Sequence, residues 1–191
     1  MKTRACDNPF ASERVDDLLV FEPEWLRMTW SDLMGRLAEL DYRGAVVGPH
    51  GSGKSTLLSS LQTRLEAEGF SVHLFFLNEE SRDLNAEDWR RLEDAGKAVV
   101  LLDGAEQFSW VKWRKFLRMA SPCRGLVITQ HRVGKLPLWL TTQTSVEMLQ
   151  KFVERLDPGF VNRGVSLADL YQKSQGNVRE ALWLCYDIVA E

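Results

Sequence analysis

The sequence predicts an α/β fold of three layers, in which a parallel sheet lies between two layers of helices. Four apolar segments, each about as long as a buried strand, begin near residues 44, 71, 98 and 125. Segments with apolar residues at helical spacing separate them. A glycine-rich loop joins the first strand directly to a helix. Strands and helices that alternate in this way form parallel sheets with helices on both faces.

Length and composition indicate a single globular domain of ordinary charge. The 191 residues suffice for one α/β domain with a small helical appendage. Hydrophobic residues make up 45% and charged residues 27%, which is typical of a globular protein and does not indicate disorder. The formal charge of −3 excludes a global attraction to nucleic acid or to an anionic membrane. Any such contact must be local.

The cysteines and the apolar runs bear on the compartment. Cys6, Cys123 and Cys185 lie far apart and form no C-x-x-C pair, so they predict neither a zinc site nor a disulfide framework. No apolar core follows the basic residues of the N-terminus, and no apolar run approaches 18 residues. We therefore expect a cytoplasmic protein without a signal peptide or a membrane span.

Residues 1–43 form a lead-in to the first strand. We expect an irregular path to about residue 24, with Asn8-Pro-Phe10 as one anchored point, and then a helix capped by Ser31 that ends near Leu40. Trp25 and Trp30 flank this helix. We expect them to pack against the domain, with stacking on a base as the alternative.

The loop after the first strand carries the most specific motif. Its sequence, Gly-Pro-His-Gly-Ser-Gly-Lys-Ser, fits the pattern G-x-x-x-x-G-K-[ST], in which backbone N–H groups and a helix start cradle phosphates. The alternative is that this stretch is a glycine turn that only joins a strand to a helix. Lys54 is predicted to reach the terminal phosphates, and Ser55 to bind Mg²⁺. The residues expected at the nucleotide are Gly48, Pro49, His50, Gly51, Ser52, Gly53, Lys54, Ser55 and Thr56.

A second motif ends the apolar run of residues 98–103. A hydrophobic strand that finishes in a carboxylate, downstream of a phosphate loop, fits the Walker B role, so Asp103 is the expected Mg²⁺ residue. The next residue is glycine and not the glutamate that polarises water in many ATPases. Glu106 is the substitute candidate. Its alternative role is a helix-start carboxylate that the helix dipole favours.

The strand predicted at residues 125–130 ends in polar side chains. In a parallel sheet this end lies beside the phosphate-loop strand, so Thr129 or Arg132 is expected to sense the nucleotide state. His131 has no partner at metal-binding spacing, and we assign it an ordinary polar role. Residues 138–143 predict a short last strand.

A basic helix is predicted from Gln107 to Ala120, a range that contains no acidic residue. A solvated helix face is the favoured interpretation. The alternatives are contact with nucleic-acid phosphates and an arginine given to a neighbouring subunit's nucleotide. The basic residues concerned are Lys112, Arg114, Lys115 and Arg118.

The remaining chain predicts helices that begin at Ser145, Ser166 and Asn177. Arg179 lies in the first turn of the last helix, where a cation opposes the helix dipole, which favours an anionic partner for it. The predicted domain organisation is therefore a lead-in of residues 1–43, a core of residues 44–143 and a helical segment of residues 144–191.

Taken together, the motifs resemble those of AAA+ ATPases and their STAND-type relatives. The segments concerned are residues 48–55, 99–103, 128–132 and the Gly-Asn-Val-Arg-Glu-Ala-Leu run of residues 176–182. The resemblance implies a parallel sheet in the order 5-1-4-3-2 and a small helical lid on the nucleotide. It implies that Thr129 or Arg132 is sensor 1 and that Arg179 is sensor 2.

Two finer resemblances accompany this one. The run Asp103-Gly-Ala-Glu106 is similar to the Asp-Gly-x-Asp form of STAND proteins, which places efficient turnover in doubt. The run Asn8-Pro-Phe10, followed by a helix, resembles the secretion- and transposition-associated branch of AAA+ ATPases.

The function predicted is a Mg²⁺-dependent ATP-hydrolysing switch that acts on a macromolecular partner and forms a nucleotide-dependent oligomer. A small-molecule or nucleotide kinase is the first alternative, although no acceptor pocket can be identified from the sequence. A module that holds ATP without turnover is the second. The chain has no Asn-Lys-x-Asp guanine motif, so adenine is the expected base.

Overall fold

The structure, a computed structural model, describes residues 8–18 and 20–190, and of residues 16–18 it describes the backbone alone. The chain divides into two compact units. The sheet unit comprises Phe21–Gly48 and Lys54–Thr142. The helical unit comprises the described parts of Met1–Val20 and Gln143–Glu191, together with Pro49–Gly53. The boundaries that the sequence suggests, at 43/44 and 143/144, stay predictions.

The sheet unit is built on five parallel strands. Their spatial order is β2-β3-β4-β1-β5, which confirms the order implied by the resemblance. The strands are β1 Arg43–Val47, β2 Val72–Phe76, β3 Val99–Asp103, β4 Gly125–Gln130 and β5 Leu138–Thr141.

The strand register brings the ends of three strands to one edge of the sheet. Val46 lies opposite Thr129 in the pairing of β1 with β4, and Leu102 lies opposite Ile128 in the pairing of β3 with β4. Because the strands are parallel, the loops that follow β1, β3 and β4 all leave from the same edge. This is where ligands bind in open α/β sheets.

Helices cover both faces of the sheet, so the three-layer prediction is confirmed. On one face, the leucines of α2 Trp30–Glu39 and α3 Lys54–Ala67 form one buried cluster with Val46, Leu101 and Val127. On the other face, α4 Ala86–Glu93 and α5 Trp110–Met119 contribute to a second cluster. Alternate strand residues point to opposite faces, which is why neighbouring residues of one strand enter different clusters.

The edge strand β2 is less buried than its apolar sequence predicts. Only Phe75 of this strand is buried, and Phe76 is 58% exposed. The prediction of a fully buried second strand is therefore wrong. A strand at the edge of a sheet has a neighbour on one side only, and its apolar residues are covered by fewer side chains.

The lead-in is more regular than expected, and its second helix begins earlier. A short helix, α1 Ser12–Leu18, lies where we expected an irregular path. Thr29, and not Ser31, caps α2: its Oγ1 accepts from the backbone N of Asp32 at 3.2 Å, and its own N donates to the Asp32 carboxylate at 2.8 Å. This reciprocal pair is a capping box, which the Thr-x-x-Asp spacing contains.

The basic helix also begins later than predicted. Residues Ala105–Gln107 form a 3₁₀ turn, and α5 starts at Trp110 with Ser109 as its cap.

The helical unit contains α1, α6 Val146–Leu156, α7 Leu167–Lys173 and α8 Val178–Ala190. The predicted caps Ser145 and Ser166 each accept a backbone N–H at 3.2 Å. Asn177 accepts the N–H of Glu180 at 3.3 Å. The buried stripe of α8 consists of Val178, Ala181, Leu182, Cys185 and Val189.

The Asn8-Pro-Phe10 run packs within the helical unit. Asn8 donates to the carbonyl of Tyr186 at 3.0 Å, and the Phe10 ring meets Phe160 at 5.1 Å between centroids.

The described cysteines are buried, and the described helices are too short or too polar to cross a membrane. Cys123 and Cys185 are free thiols in buried positions, while Cys6 lies outside the described residues. Among the helices of the described ranges, none combines the length and apolar character that a membrane crossing requires.

Candidate functional site

The phosphate loop follows β1 and is braced by its own side chains. Gly51 and Gly53 have φ values of +67° and +80°, in the left-handed region that glycine tolerates best. Ser52 is 7% exposed, and its Oγ donates to the carbonyl of Pro49 at 2.8 Å. Pro49 and His50 are exposed. The two glycines and the Ser52 hydrogen bond therefore define the backbone path of the loop.

Lys54 is held at the start of the same loop. Its ammonium donates to the carbonyl of Gly48 at 2.8 Å, although the residue is only 8% exposed. Burial lowers the pKa of Lys54, and the charges of Glu106 and Asp103 oppose this effect. The Lys54 ammonium is therefore largely shielded from water, and the charges of two carboxylates act on it.

Ser55 and Thr56 occupy the first turn of α3, and the side chain of Ser55 is exposed. The helix has 14 residues, so its N-terminus carries the partial positive charge that favours anions. Loop, lysine and helix start lie within one continuous stretch of chain, as phosphate binding requires.

Asp103 ends β3 beside Thr129 of β4. The Thr129 hydroxyl donates a very short hydrogen bond to Asp103 Oδ1 and accepts one from the backbone N of Gly104 at 2.8 Å. Thr129 is 1% exposed, so water does not compete for these bonds. The structure thus places Thr129, a predicted sensor, directly on the predicted Mg²⁺ carboxylate.

Gly104 explains why no glutamate follows Asp103. Its φ is +79°, and a Cβ added there would lie 2.3 Å from the carbonyl oxygen of Leu77. A side chain at this position would meet both an unfavourable backbone conformation and a backbone clash. The first acidic side chain after Asp103 is therefore that of Glu106, three residues further along the chain.

Glu106 lies in the 3₁₀ turn after Gly104, where its carboxylate contacts the His131 ring. Glu106 Oε1 is 2.7 Å from His131 Nε2. His131 Nδ1 is 3.1 Å from the carbonyl of Gly48. The second carboxylate oxygen, Oε2, is buried and has no hydrogen-bond partner among the described residues. Lys54, Asp103, Glu106 and Thr129 are therefore brought to one edge of the sheet unit.

Sequence reasoning missed two residues beside Glu106. His131 had only an ordinary polar role, although its place directly after β4 was an indication that it could reach the loops of β1 and β3. Lys135 donates to the carbonyl of Ala105 at 2.5 Å and lies 4.7 Å from the Trp113 ring. Burial lowers the pKa of Lys135, and the charge of Glu106 opposes this. No sequence pattern identified this lysine. Arg132, by contrast, is exposed.

In the helical unit, Asn177 lies against the phosphate-loop segment. A Cβ added at Gly51 would come within 2.0 Å of Asn177 Oδ1, so only glycine fits there. A cleft of about 450 Å³ is lined by Pro49, Thr144, Tyr171 and Gly176, together with three glutamines, Gln143, Gln172 and Gln175. Thr144 Oγ1 lies 2.7 Å from the Tyr171 hydroxyl and donates to the Gly176 carbonyl at 2.8 Å. Arg179 is exposed in the first turn of α8.

The basic helix α5 buries Trp113 and Phe116 and exposes a mixed basic and aromatic face. Trp110 is 69% exposed, and the guanidinium of Arg114 lies 4.8 Å from its ring. Lys112 forms a 2.7 Å ion pair with Asp83. Lys115 lies 3.9 Å from the Trp89 ring. Arg118 is exposed.

The chain is similar in fold to solved structures with low sequence identity. Cdc6p from Pyrobaculum aerophilum gives a TM-score of 0.51 at 14% identity, over 80% of this chain and 53% of that one. A structure of Drosophila ORC bound to DNA gives 0.53 at 14% identity, over 99% of this chain and 62% of that one. The HORMA:CdnC:Trip13 complex of E. coli MS115-1 gives a TM-score of 0.41 at 18% identity, over 91% of this chain and 72% of that one.

These similarities concern the fold alone. The chain spans between half and two thirds of the first two proteins, at 53% and 62% of their lengths. No protein-family model and no curated protein matches the sequence. Sheet order, three layers and structural neighbours together show an α/β fold like that of AAA+ domains.

Proposed function

We propose that the chain binds ATP with Mg²⁺ and hydrolyses it, as a switch that acts on a macromolecular partner. One observation carries this proposal, namely that three groups lie at one edge of the sheet. They are a buried lysine at the phosphate loop, a carboxylate that accepts a hydrogen bond from Thr129, and a second carboxylate with a buried oxygen that has no hydrogen-bond partner among the described residues. Transfer of a phosphoryl group to water needs three parts: a cation that binds the phosphates, an oxygen ligand for a metal ion, and an acceptor for a hydrogen bond from the water.

The residues present suit a magnesium ion that phosphates and water complete. Asp103 and Ser55 supply hard oxygen donors, which Mg²⁺ prefers. Within the described ranges, no group of three or more metal-binding side chains occurs, so the protein offers only a part of the ion's coordination. When bound with the nucleotide, Mg²⁺ neutralises charge that develops on the phosphates.

The chain's own residues then divide the work. Lys54 leaves the Gly48 carbonyl and donates to the terminal phosphates. Glu106 accepts a hydrogen bond from the attacking water through Oε2, the oxygen for which the described residues supply no hydrogen-bond partner. We propose the sensor roles that the AAA+ resemblance implies: Thr129 or Arg132 as sensor 1, and Arg179 as sensor 2. Two finer resemblances stay predictions: that of residues 103–106 to STAND proteins, and that of residues 8–10 to the secretion- and transposition-associated branch of AAA+ ATPases.

We place the nucleotide base in the cleft of the helical unit. Pro49 of the phosphate loop forms one of its walls, so a nucleotide bound to the loop is close to it. The three glutamines supply both amide donors and carbonyl acceptors, and the Tyr171 ring supplies an apolar surface. Donor and acceptor pairs of this kind match the Watson–Crick edge of adenine.

The exposed face of α5 is the surface we propose for the partner. Trp110, Arg114 and Arg118 recur every four residues and so lie along one line of the helix. An exposed indole beside a guanidinium supports stacking on an unpaired base, and the arginines favour phosphates. Lys112 contributes less, because Asp83 neutralises it. Binding of a fluorescent oligonucleotide to Arg114→Gln/Arg118→Gln, against Lys173→Gln as an exposed control, tests this surface.

Hydrolysis is tested by phosphate release and ADP formation from purified protein with ATP and Mg²⁺, alone and with single-stranded DNA. Wild-type turnover that Lys54→Ala abolishes supports the proposal, and size-exclusion runs with and without nucleotide report assembly. ATP binding by calorimetry without turnover would contradict hydrolysis. It would instead favour a module that holds ATP without hydrolysing it. The glycine at position 104, where many ATPases have a glutamate, is consistent with such a module. ADP formation without free phosphate, in the presence of an acceptor, would indicate a kinase.

A further inference from the structure

We propose that His131 is the positioning residue of Glu106, which it holds so that Oε2 alone remains to accept the attacking water. This role rests on the proposed function, because it concerns the same hydrolysis. His131 itself touches neither phosphate nor water in this proposal. It acts through the Glu106 carboxylate.

The His131 ring links three loops that leave the same sheet edge. Nδ1 lies 3.1 Å from the carbonyl of Gly48, after β1, and Nε2 lies 2.7 Å from Glu106 Oε1, after β3. A backbone carbonyl and an ionised carboxylate can only accept. Each nitrogen of the His131 ring therefore faces an acceptor. The ring is therefore fixed at two points, and it fixes one oxygen of Glu106.

The other oxygen of Glu106 is unusual for its surroundings. Oε2 is buried and has no hydrogen-bond partner among the described residues. Buried carboxylate oxygens without a donor are rare, because the lost hydration is not replaced. A water molecule between Oε2 and the nucleotide would supply the missing donor.

The anchor of His131 does not depend on Lys54. The Gly48 carbonyl accepts from the Lys54 ammonium at 2.8 Å as well as from His131. When Lys54 turns to a phosphate, the carbonyl keeps His131 as its donor. Glu106 thus retains its support in the state in which hydrolysis occurs.

A double-mutant cycle tests this role. His131→Ala is expected to lower kcat about 10- to 100-fold, the effect of a misplaced catalytic group, with ATP affinity unchanged. In a Glu106→Gln background the same change is expected to lower kcat no further, because the carboxylate through which His131 acts is gone. His131→Gln, whose amide can still donate to Glu106, is expected to recover part of the loss. His73→Ala on β2, where the ring packs against Phe75, is the control and leaves kcat unchanged.

A kcat of His131→Ala equal to that of wild type would overturn the positioning role and leave the proposed function intact. A loss that is equally large in the Glu106→Gln background would also overturn it, because His131 would then act independently. Wild-type protein without turnover would remove the proposed function and this role together.

Imidazole ¹⁵N spectra of histidine-labelled protein give a second readout that needs no turnover. The chain has three histidines, so the signals can be assigned from single variants. Glu106→Gln is expected to shift the ring signals of His131 and to leave those of His50 and His73 in place. Unchanged His131 signals would overturn the contact itself.

Discussion

The hydroxyl of Thr129 joins two neighbouring strands by donating to Asp103 Oδ1 while it accepts from the backbone N of Gly104. One small side chain therefore sets both the orientation of the carboxylate and the turn that follows it. Because Thr129 is almost completely buried, at 1% exposure, no solvent molecule can replace it. The parallel register of β3 and β4 places it there.

Replacing Thr129 with valine tests this arrangement. Valine keeps the shape but leaves Asp103 and the Gly104 N–H each short of a partner, at a cost of about 1–3 kcal/mol. If Asp103 holds Mg²⁺, we expect the Mg²⁺ concentration for half-maximal ATPase activity to rise about 10- to 100-fold. Thr141→Val, an exposed position on β5, is the control. An unchanged Mg²⁺ requirement with a normal fold would remove Asp103 from the metal site.

Gly104→Ala is expected to destabilise the protein more than an equivalent glycine elsewhere. Gly104 and Gly69 have similar φ values of +79° and +87°, but only at Gly104 does a Cβ meet a neighbour, the Leu77 carbonyl. Gly69→Ala carries the left-handed strain alone, about 1–2 kcal/mol. Gly104→Ala adds the clash and should cost about 3 kcal/mol or more. Urea unfolding measures both, and equal losses would contradict the close approach of Leu77.

Lys54→Met is expected to leave the nucleotide-free protein at least as stable as wild type at neutral pH. Burial lowers the pKa of Lys54 below its usual 10.5, so the ammonium is less favourable in the folded than in the unfolded chain. Its unfavourable contribution is complete below the folded pKa and fades as pH rises through that value towards 10.5. The relative advantage of the variant should therefore shrink at alkaline pH.

Thermal unfolding of Lys54→Met with and without ATP completes this test. ATP at 100 times its dissociation constant stabilises a binding protein by about 2.7 kcal/mol, and the variant should lose most of this increase in Tm. Lys97→Met, at an exposed lysine, should keep it. A full ATP-dependent increase in Lys54→Met would exclude Lys54 from the phosphate site.

The two described cysteines are expected to resist thiol reagents. Burial raises the pKa of Cys185 to about 12 and that of Cys123 above its usual value, in the second case against the charge of Arg43. The reactive thiolate is therefore scarce at pH 8. In a Cys6→Ser background, native protein should react with Ellman's reagent far more slowly than urea-unfolded protein, which should release two equivalents.

The same shift predicts the direction of a pH effect. A thiol with a raised pKa keeps its proton in the folded chain while the unfolded chain loses it, so stability falls as pH rises above about 9 towards 12.

The prediction of slow reaction with Ellman's reagent has a clear contrary outcome. If one equivalent of thiol in the native protein reacted rapidly at pH 8, one of the two cysteine side chains would be accessible.

The sequence alone determined the main parts of the site because their chemistry depends on residues that are close in the chain. The phosphate loop, Lys54 and Ser55 lie within eight consecutive residues, and Asp103 ends an apolar strand, so spacing and composition suffice to recognise them. The helix caps Ser145 and Ser166 were predicted for the same reason. The sheet order followed from the family resemblance that these local motifs carry.

Only the tertiary structure decided how the parts meet. Glu106 and His131 are 25 residues apart, and Gly48 is 83 residues from His131, so no local pattern connects them. Strand register places them side by side, and the same register lets Thr129 orient Asp103. The Leu77 carbonyl that excludes a side chain at Gly104 likewise comes from another strand end. Contacts of this kind depend on packing between segments distant in sequence, whereas local motifs depend on backbone conformations that a few neighbouring residues set.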